Sequence, residues 1–309
     1  MNNPSEILNY NPKKDGGCAV ALGYDVDMPG ALAYLYDRNL GWLSKPNPKN
    51  VTDYCHGHLN EDVIGYIQLL TETAEDFDAR LQFFLQGNTL EDPVEHWTDI
   101  VKRGHAVDSH MYYHHSLLSE SLDSIEEQLK KTKRLLEEKL GTVNLGLRGP
   151  GGYPQGLRGR EDVQRAILAV GIKWVSSEFT CGPLCRQIPI LSPEWVNSIA
   201  SNQPFYYETG LLEMPFSGHQ DRSFFDLDMG GSPRPIEEWI AYLKQCVDLA
   251  YSRSLFLCLT VHPSTSFKHD PEARYVKEIL AYCRQKPDIV ICTYRDMHRW
   301  LDGTGSKSE

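Results

Sequence analysis

Short apolar runs of strand length recur along this chain, and each is followed by a longer stretch with helical spacing. Ala19-Val20-Ala21-Leu22-Gly23-Tyr24 is the first run, a buried strand, and Pro29-Gly30 opens the loop beyond it. A helix from Asn60 to about Glu75 carries Val63, Ile64, Ile67 and Leu70 on one face. Arg80 to Gly87 reads as a second strand. Asp92 to Arg103 reads as a helix ended by Gly104, and His105 to Asp108 as a third strand. Ser121 starts a long charged helix that closes at Gly141, a residue suited to a left-handed cap. Val143 to Leu147 is a fourth strand, Glu161 to Val170 a helix and Ile172 to Ser177 a fifth strand. Leu211 to Phe216 is a sixth. A long loop, Ser217 to Arg234, precedes a helix from Ile236 to Ala250 with Pro235 in its first turn. Leu255 to Val261 is a seventh strand, and Pro271 opens a helix to about Gln285. Asp288 to Thr293 is an eighth strand, and Arg295 to Leu301 closes the chain. Strand and helix alternating about eight times call for parallel strands and, at this length, for an α/β barrel of the TIM-like kind.

The chain has 309 residues and is 41% apolar, with no repeat, linker or low-complexity tract, so a single domain over 1–309 is expected, its core about 17–301. A formal charge of −11 argues against nucleic acid or an anionic membrane as partner. No apolar run approaches the length of a membrane span. Met1 to Lys14 is polar, without the apolar region of a secretory signal, which points to the cytoplasm. Most of the eight cysteines sit in apolar runs and read as small buried hydrophobes. Cys181 and Cys185 are closely spaced, but no second pair follows at zinc-ribbon spacing.

The unusual polar residues fall where strands end. Residues 104–115 hold four of the eleven histidines. On a helical turn, His110 and His114 present both imidazoles on one face. Two imidazoles need a third ligand to make a hydrolytic metal site. Asp27 supplies a carboxylate, and Asp25, two residues away, is placed as general base. His262 follows the seventh strand and is placed as general acid. Arg148 is placed to hold Asp25 ionised through a charge-assisted pair. The set suits amide hydrolysis assisted by a divalent ion. The same ligands also make the facial triad of non-haem iron oxygenases, but those sites are usually built on antiparallel sheets. His56 and His58 lie in an irregular stretch from which they could reach a site.

These motifs, in this order, resemble the NodB-homology polysaccharide deacetylases, carbohydrate esterase family 4, over about Gly17 to Leu301. Tyr24-Asp25-Val26-Asp27 resembles the first motif and implies Asp25 as base and Asp27 as metal ligand. Ser109-His110-Met111-Tyr112-Tyr113-His114 is similar to the second, which supplies two more ligands. Arg148-Gly149-Pro150-Gly151-Gly152 matches the third, whose arginine orients the base, and Leu259-Thr260-Val261-His262 the last, whose histidine is the acid. The resemblance implies a distorted (β/α) barrel of seven or eight strands, a divalent ion, most simply Zn2+, and homo-oligomers. Two features depart from the pattern. The aspartates are spaced by Val26, as in the branch holding cytosolic peptidoglycan-deacetylase-like and allantoinase-like proteins. Val175, after Trp174, stands near where the fourth motif has an aspartate. Retention of all three ligands favours a metal enzyme acting on a glycan amide or a small soluble one, such as an N-acetylated amino sugar. Ring opening of a cyclic ureide is the alternative, and an inactive carbohydrate-binding relative a third reading. Tyr153, Trp174 and Arg222, the last in the long loop, are the candidates for substrate contact.

Overall fold

The computed structural model describes residues 17–28, 56–179, 192–193, 199–226 and 231–303. Pro29-Gly30, the polar N-terminus and the Cys181/Cys185 pair lie outside them. Strand β1 is Cys18–Val26 and is hydrogen-bonded along both of its edges. Its side chains alternate. Cys18, Val20, Leu22, Tyr24 and Val26 join the apolar layer beneath the helices, whereas Ala19 and Ala21 join a second cluster with Phe84, Trp174 and Tyr294. Gly23 and Asp25 continue the second set. Small residues on that face leave room for large ones: a Cβ on Gly23 would sit 2.8 Å from Arg148 Nη2 and 2.9 Å from Tyr294.

The other strands are β2 (Gln82–Leu85), β3 (Ala106–Ser109), β4 (Gly146–Tyr153), β5 (Trp174–Glu178), β6 (Phe205–Tyr206), β7 (Leu212–Glu213), β8 (Phe256–Val261) and β9 (Ile289–Ile291). They form one curled sheet in the order β6-β7-β5-β4-β3-β2-β1-β8, with β9 paired to the first residues of β1. Every pairing is parallel except β6 with β7. Beyond β7 the chain crosses to β8, where the Ser217 amide donates to the Cys258 carbonyl at 2.9 Å. The helices are α1 (Glu61–Glu75), α2 (Glu95–Lys102), α3 (Leu122–Leu140), α4 (Glu161–Ala169), α5 (Asp221–Phe225), α6 (Ile236–Ser252), α7 (Pro263–His269), α8 (Arg274–Arg284) and α9 (Tyr294–Leu301). Side chains cap α1 and α3: Asn60 accepts from the Val63 amide and Ser121 from the Ser124 amide. Gly141 ends α3 at φ 64.

The α/β barrel reading is borne out, with differences of detail. Nine strands form among the described residues rather than seven or eight, because β6 and β7 add a two-residue antiparallel pair where one longer sixth strand is predicted. The fourth strand starts at Gly146, later than the Val143 expected, since Val143 is exposed and its carbonyl accepts from Arg295. The long loop contains α5, and Pro263 at the first turn opens the unpredicted α7. The helix expected from Pro271 begins at Arg274. No helix among the described residues is long and apolar enough to cross a membrane.

Candidate functional site

Asp25, His110 and His262 stand at or just beyond the C-terminal ends of β1, β3 and β8, and Arg148 and Ser176 lie paired within β4 and β5. In a parallel barrel, these ends are where side chains from different strands converge. Asp27 follows β1, and its amide donates to the Asp25 carbonyl at 3.1 Å. The two imidazoles do not share a helical turn as expected. His110 prolongs β3, its amide donating to the Leu85 carbonyl at 2.7 Å, and Met111 then adopts a left-handed backbone at φ 64. That conformation is costly for a residue with a long side chain, and the surroundings hold it. The Met111 amide donates to Ser109 Oγ at 3.2 Å, and its carbonyl accepts from the Gly87 amide at 2.8 Å. The sharp turn brings His114 back beside His110, with ring centroids 4.9 Å apart.

One ligand atom each from Asp27, His110 and His114 lie within 4.8 Å of one another. Asp27 Oδ2 is 3.9 Å from His110 Nε2 and 3.5 Å from His114 Nε2. His110 Nδ1 lies 2.8 Å from the Arg148 carbonyl, which can only accept, so Nδ1 carries the proton and Nε2 a lone pair. Burial lowers the basicity of His110, and of His114 strongly, helped there by the charges of His110, His56, His262 and Arg222. Asp27 Oδ1 and His110 Nε2 are buried without a hydrogen-bond partner. Such orphaned atoms carry a desolvation cost that a divalent cation would remove. A buried carboxylate and two neutral imidazoles fit a first-row divalent ion.

Asp25 lies beside this trio, 4% exposed, with Oδ1 3.0 Å from Arg148 Nε. The N–H is not aligned on that oxygen, so the contact is an ion pair rather than a hydrogen bond. Arg148 is fully buried, and its guanidinium lies 4.4 Å from the ring centroid of Phe84 and 4.1 Å from that of Phe216. Nη1 donates to Ser176 Oγ at 2.9 Å and Nη2 to Tyr294 Oη at 3.1 Å. The support that Val175 cannot give therefore comes from its neighbour Ser176 and from Tyr294.

His262 has a partner that sequence reasoning missed. Asp221 Oδ1 lies 2.7 Å from His262 Nδ1, and Oδ2 accepts from the His262 amide at 2.8 Å and from Ser266 Oγ at 3.2 Å. Burial disfavours the imidazolium, but the Asp221 charge outweighs it and, with Asp27 and Asp25, raises His262 to about 9. Its ring is thus cationic near neutrality, oriented through Nδ1. Asp221 is one of three aspartates in the long loop, and only the tertiary fold singles it out.

The three candidate substrate contacts part company. Arg222 is near enough for its charge to act on His114, while its Nε pairs with Asp226 Oδ2 at 3.1 Å. Tyr153 is 5% exposed, and its hydroxyl accepts from the Leu117 amide at 2.8 Å. Trp174 opens β5, at the strand's far end from the site, and is fully buried against Phe84 and Tyr294. It lies in the core behind Arg148 rather than at the rim. His58 pairs with Asp92, and His105 is held between the Leu81 amide and Glu75.

Residues 65–170 match the family model described as polysaccharide deacetylase. The Bacillus subtilis (strain 168) "Uncharacterized protein YlxY" is 29% identical over 76 residues, which are 25% of this chain and 24% of that relative's length. The chain also resembles the crystal structure of a "putative polysaccharide deacetylase from Mycobacterium smegmatis", at 19% identity and a TM-score of 0.68, over 96% of this chain and 94% of that one. A "probable Polysaccharide deacetylase from Pseudomonas aeruginosa PAO1" aligns at 15% identity and a TM-score of 0.66, covering 99% and 97% of the two chains. "Puue Allantoinase" aligns at 15% and 0.66 over 100% of both. At these identities the likeness is one of fold.

Proposed function

We propose that this chain, whose residues 65–170 match the polysaccharide deacetylase family model, is a member of that family and a metal-dependent hydrolase of non-peptide C–N bonds that removes the acetyl group from an N-acetylated amino sugar or a related small amide. The observation that carries the reading is the meeting, at one rim, of three converging ligand atoms, a carboxylate paired with a buried arginine, and a histidine oriented by a carboxylate. Asp27, His110 and His114 would hold the ion, with zinc the proposed metal. A divalent cation in such a place polarises a carbonyl and makes water more acidic.

The chain's own groups supply the proton transfers. Asp25 accepts the proton of the attacking water, and Arg148, 3.0 Å away, holds Asp25 in place. Phe84, Phe216 and Tyr294 keep water from Arg148, so the ion pair acts in a low dielectric. The departing nitrogen needs a proton, because an amine anion is a poor leaving group. His262, cationic at neutral pH, is placed to give it from Nε2 while Asp221 retains Nδ1. Solution in the cytoplasm and assembly into homo-oligomers belong to the same proposal.

A ring-opening hydrolase of cyclic ureides would use the same rim, and the allantoinase likeness keeps it as the second reading. Incubation with a panel of N-acetylated amino sugars, their oligomers and cyclic ureides separates the two. Acetate release from the first group supports N-deacetylation. Ureide opening without acetate release from any member assigns the second reading, and turnover of neither class sinks both.

A further inference from the structure

The roles above leave one side chain of the rim unused. His56 lies against His114, with ring centroids 5.2 Å apart and the planes inclined by 38°. It precedes α1, in a helical turn with Gly57, and its backbone is firmly held. Its carbonyl accepts from the Met28 amide at 3.0 Å and from Gln86 Nε2 at 3.3 Å, tying it to the segment after Asp27 and to the end of β2. The next carbonyl, that of Gly57, accepts from Thr89 Oγ1 at 2.6 Å. Gly57 rests so closely on Asn88 that a Cβ there would stand 1.8 Å from Asn88 Oδ1. Such fixing exceeds what a solvated surface histidine needs. Nδ1 of His56 is nevertheless buried without a hydrogen-bond partner. An imidazole nitrogen in that state loses its hydration and gains nothing for it, at a cost that a bound polar group would relieve. The compact ligand set, in turn, is Asp27, His110 and His114 without His56.

We propose that His56 is a substrate-binding residue, whose Nδ1 hydrogen-bonds a polar group flanking the scissile amide, in an amino sugar a ring hydroxyl. This inference rests on the hydrolase reading and adds a specificity determinant to it. A neutral imidazole nitrogen can donate or accept, so it suits a hydroxyl, which can do either. It acts on substrate affinity, because the contact is made before and during the reaction alike.

The test uses the full chain with its metal and the most active substrate of the panel above, in wild type, His56→Ala and His56→Asn. The expected result for His56→Ala is an unchanged metal content and melting temperature, with KM raised roughly tenfold and kcat within about twofold, the worth of one neutral hydrogen bond. His56→Asn places an amide near the position of Nδ1 and recovers part of the lost affinity. Binding of acetate, followed by displacement of the Co(II) absorption bands in cobalt-loaded protein, stays equal in all three, because the acetate does not carry the flanking group. An unchanged KM in His56→Ala overturns the inference while leaving the hydrolase reading intact. Loss of the metal in that variant also overturns it, by moving His56 among the ligands. A wild type that neither holds metal nor hydrolyses any substrate overturns both.

Discussion

At the residue scale, the proposed chemistry depends on which protons are held where. Asp221 keeps His262 cationic to about pH 9 and fixes its orientation through two contacts, one to Nδ1 and one to the backbone amide. Replacing Asp221 by Asn leaves the shape and removes the charge. The variant is expected to retain its metal, to lose about 10²–10⁴-fold in kcat, and to lose activity at lower pH. Activity that needs the imidazolium falls as pH rises through the pKa of His262, and that pKa drops once the carboxylate is gone. A pH–rate profile of the variant that superimposes on the wild type's would assign the acid elsewhere. His105 titrates with the opposite effect. The Leu81 amide donates to its Nδ1 at 3.0 Å, so that nitrogen must accept, and Nε2–H donates to Glu75 Oε1 at 2.9 Å. Burial lowers this histidine to about 4, against about 6.5 in an unfolded chain. The unfolded state therefore takes up a proton between about pH 6.5 and 4 that the folded state refuses, and stability falls with pH across that window. The loss attributable to His105 is up to about 3 kcal/mol at the acidic end. Denaturant titrations at pH 7 and pH 5 measure it, and a His105→Gln variant should show a flatter dependence. A dependence equally steep in that variant would remove His105 as its source.

At the scale of elements, the strand β1 does two jobs with alternate residues. One face supplies the apolar layer under the helices, and the other narrows to Ala19, Ala21 and Gly23 before presenting Asp25. Gly23 is small because the Arg148 guanidinium passes over it. Gly23→Ala is expected to push Arg148 from Asp25, costing about tenfold or more in activity along with a drop in melting temperature, since an added methyl in a packed interior costs about 1–3 kcal/mol. Unchanged activity would mean that the ion pair tolerates displacement. Strand β1 was legible in the sequence as a buried strand, as were α1, α3 with its Gly141 cap, and the succession of the strands along the chain apart from β6. The residues Asp25, Asp27, His110, Arg148 and His262 were legible as well, because they follow apolar runs whose ends a parallel barrel gathers together. The spacing of His110 and His114 misled about their backbone, because a four-residue interval fits a helical turn and also the left-handed turn at Met111. Asp221 was hidden because its partner lies 41 positions away and two other aspartates share its loop. Trp174 shows why aromatic identity alone is a weak guide to substrate contact: stacked on Tyr294, it shapes the packing behind Arg148.

At the scale of the whole molecule, the last helix fastens the sheet. Arg295 of α9 donates from Nε to Asp108 Oδ2 at 2.8 Å and from Nη2 to Asp108 Oδ1 at 2.9 Å, and it also reaches the Val107 and Val143 carbonyls. Asp108 in β3 is fully buried and takes the Leu145 and Gly146 amides and Gln82 Nε2 as well, so three strands and α9 meet at one carboxylate. Removing its cation strands a buried charge, and Arg295→Ala is expected to cost about 3–5 kcal/mol, read as a lower denaturation midpoint. A change below about 1 kcal/mol would mean that water replaces the guanidinium. The central claim concerns the trio of ligands, which gives the site its purpose. Elemental analysis of purified protein, wild type beside Asp27→Ala, tests it most directly. About one divalent ion per chain in the wild type, zinc by this account, and its loss in the variant is the predicted result. A wild type without metal after purification in zinc-supplemented buffer, or a variant that keeps the same ion, would contradict it.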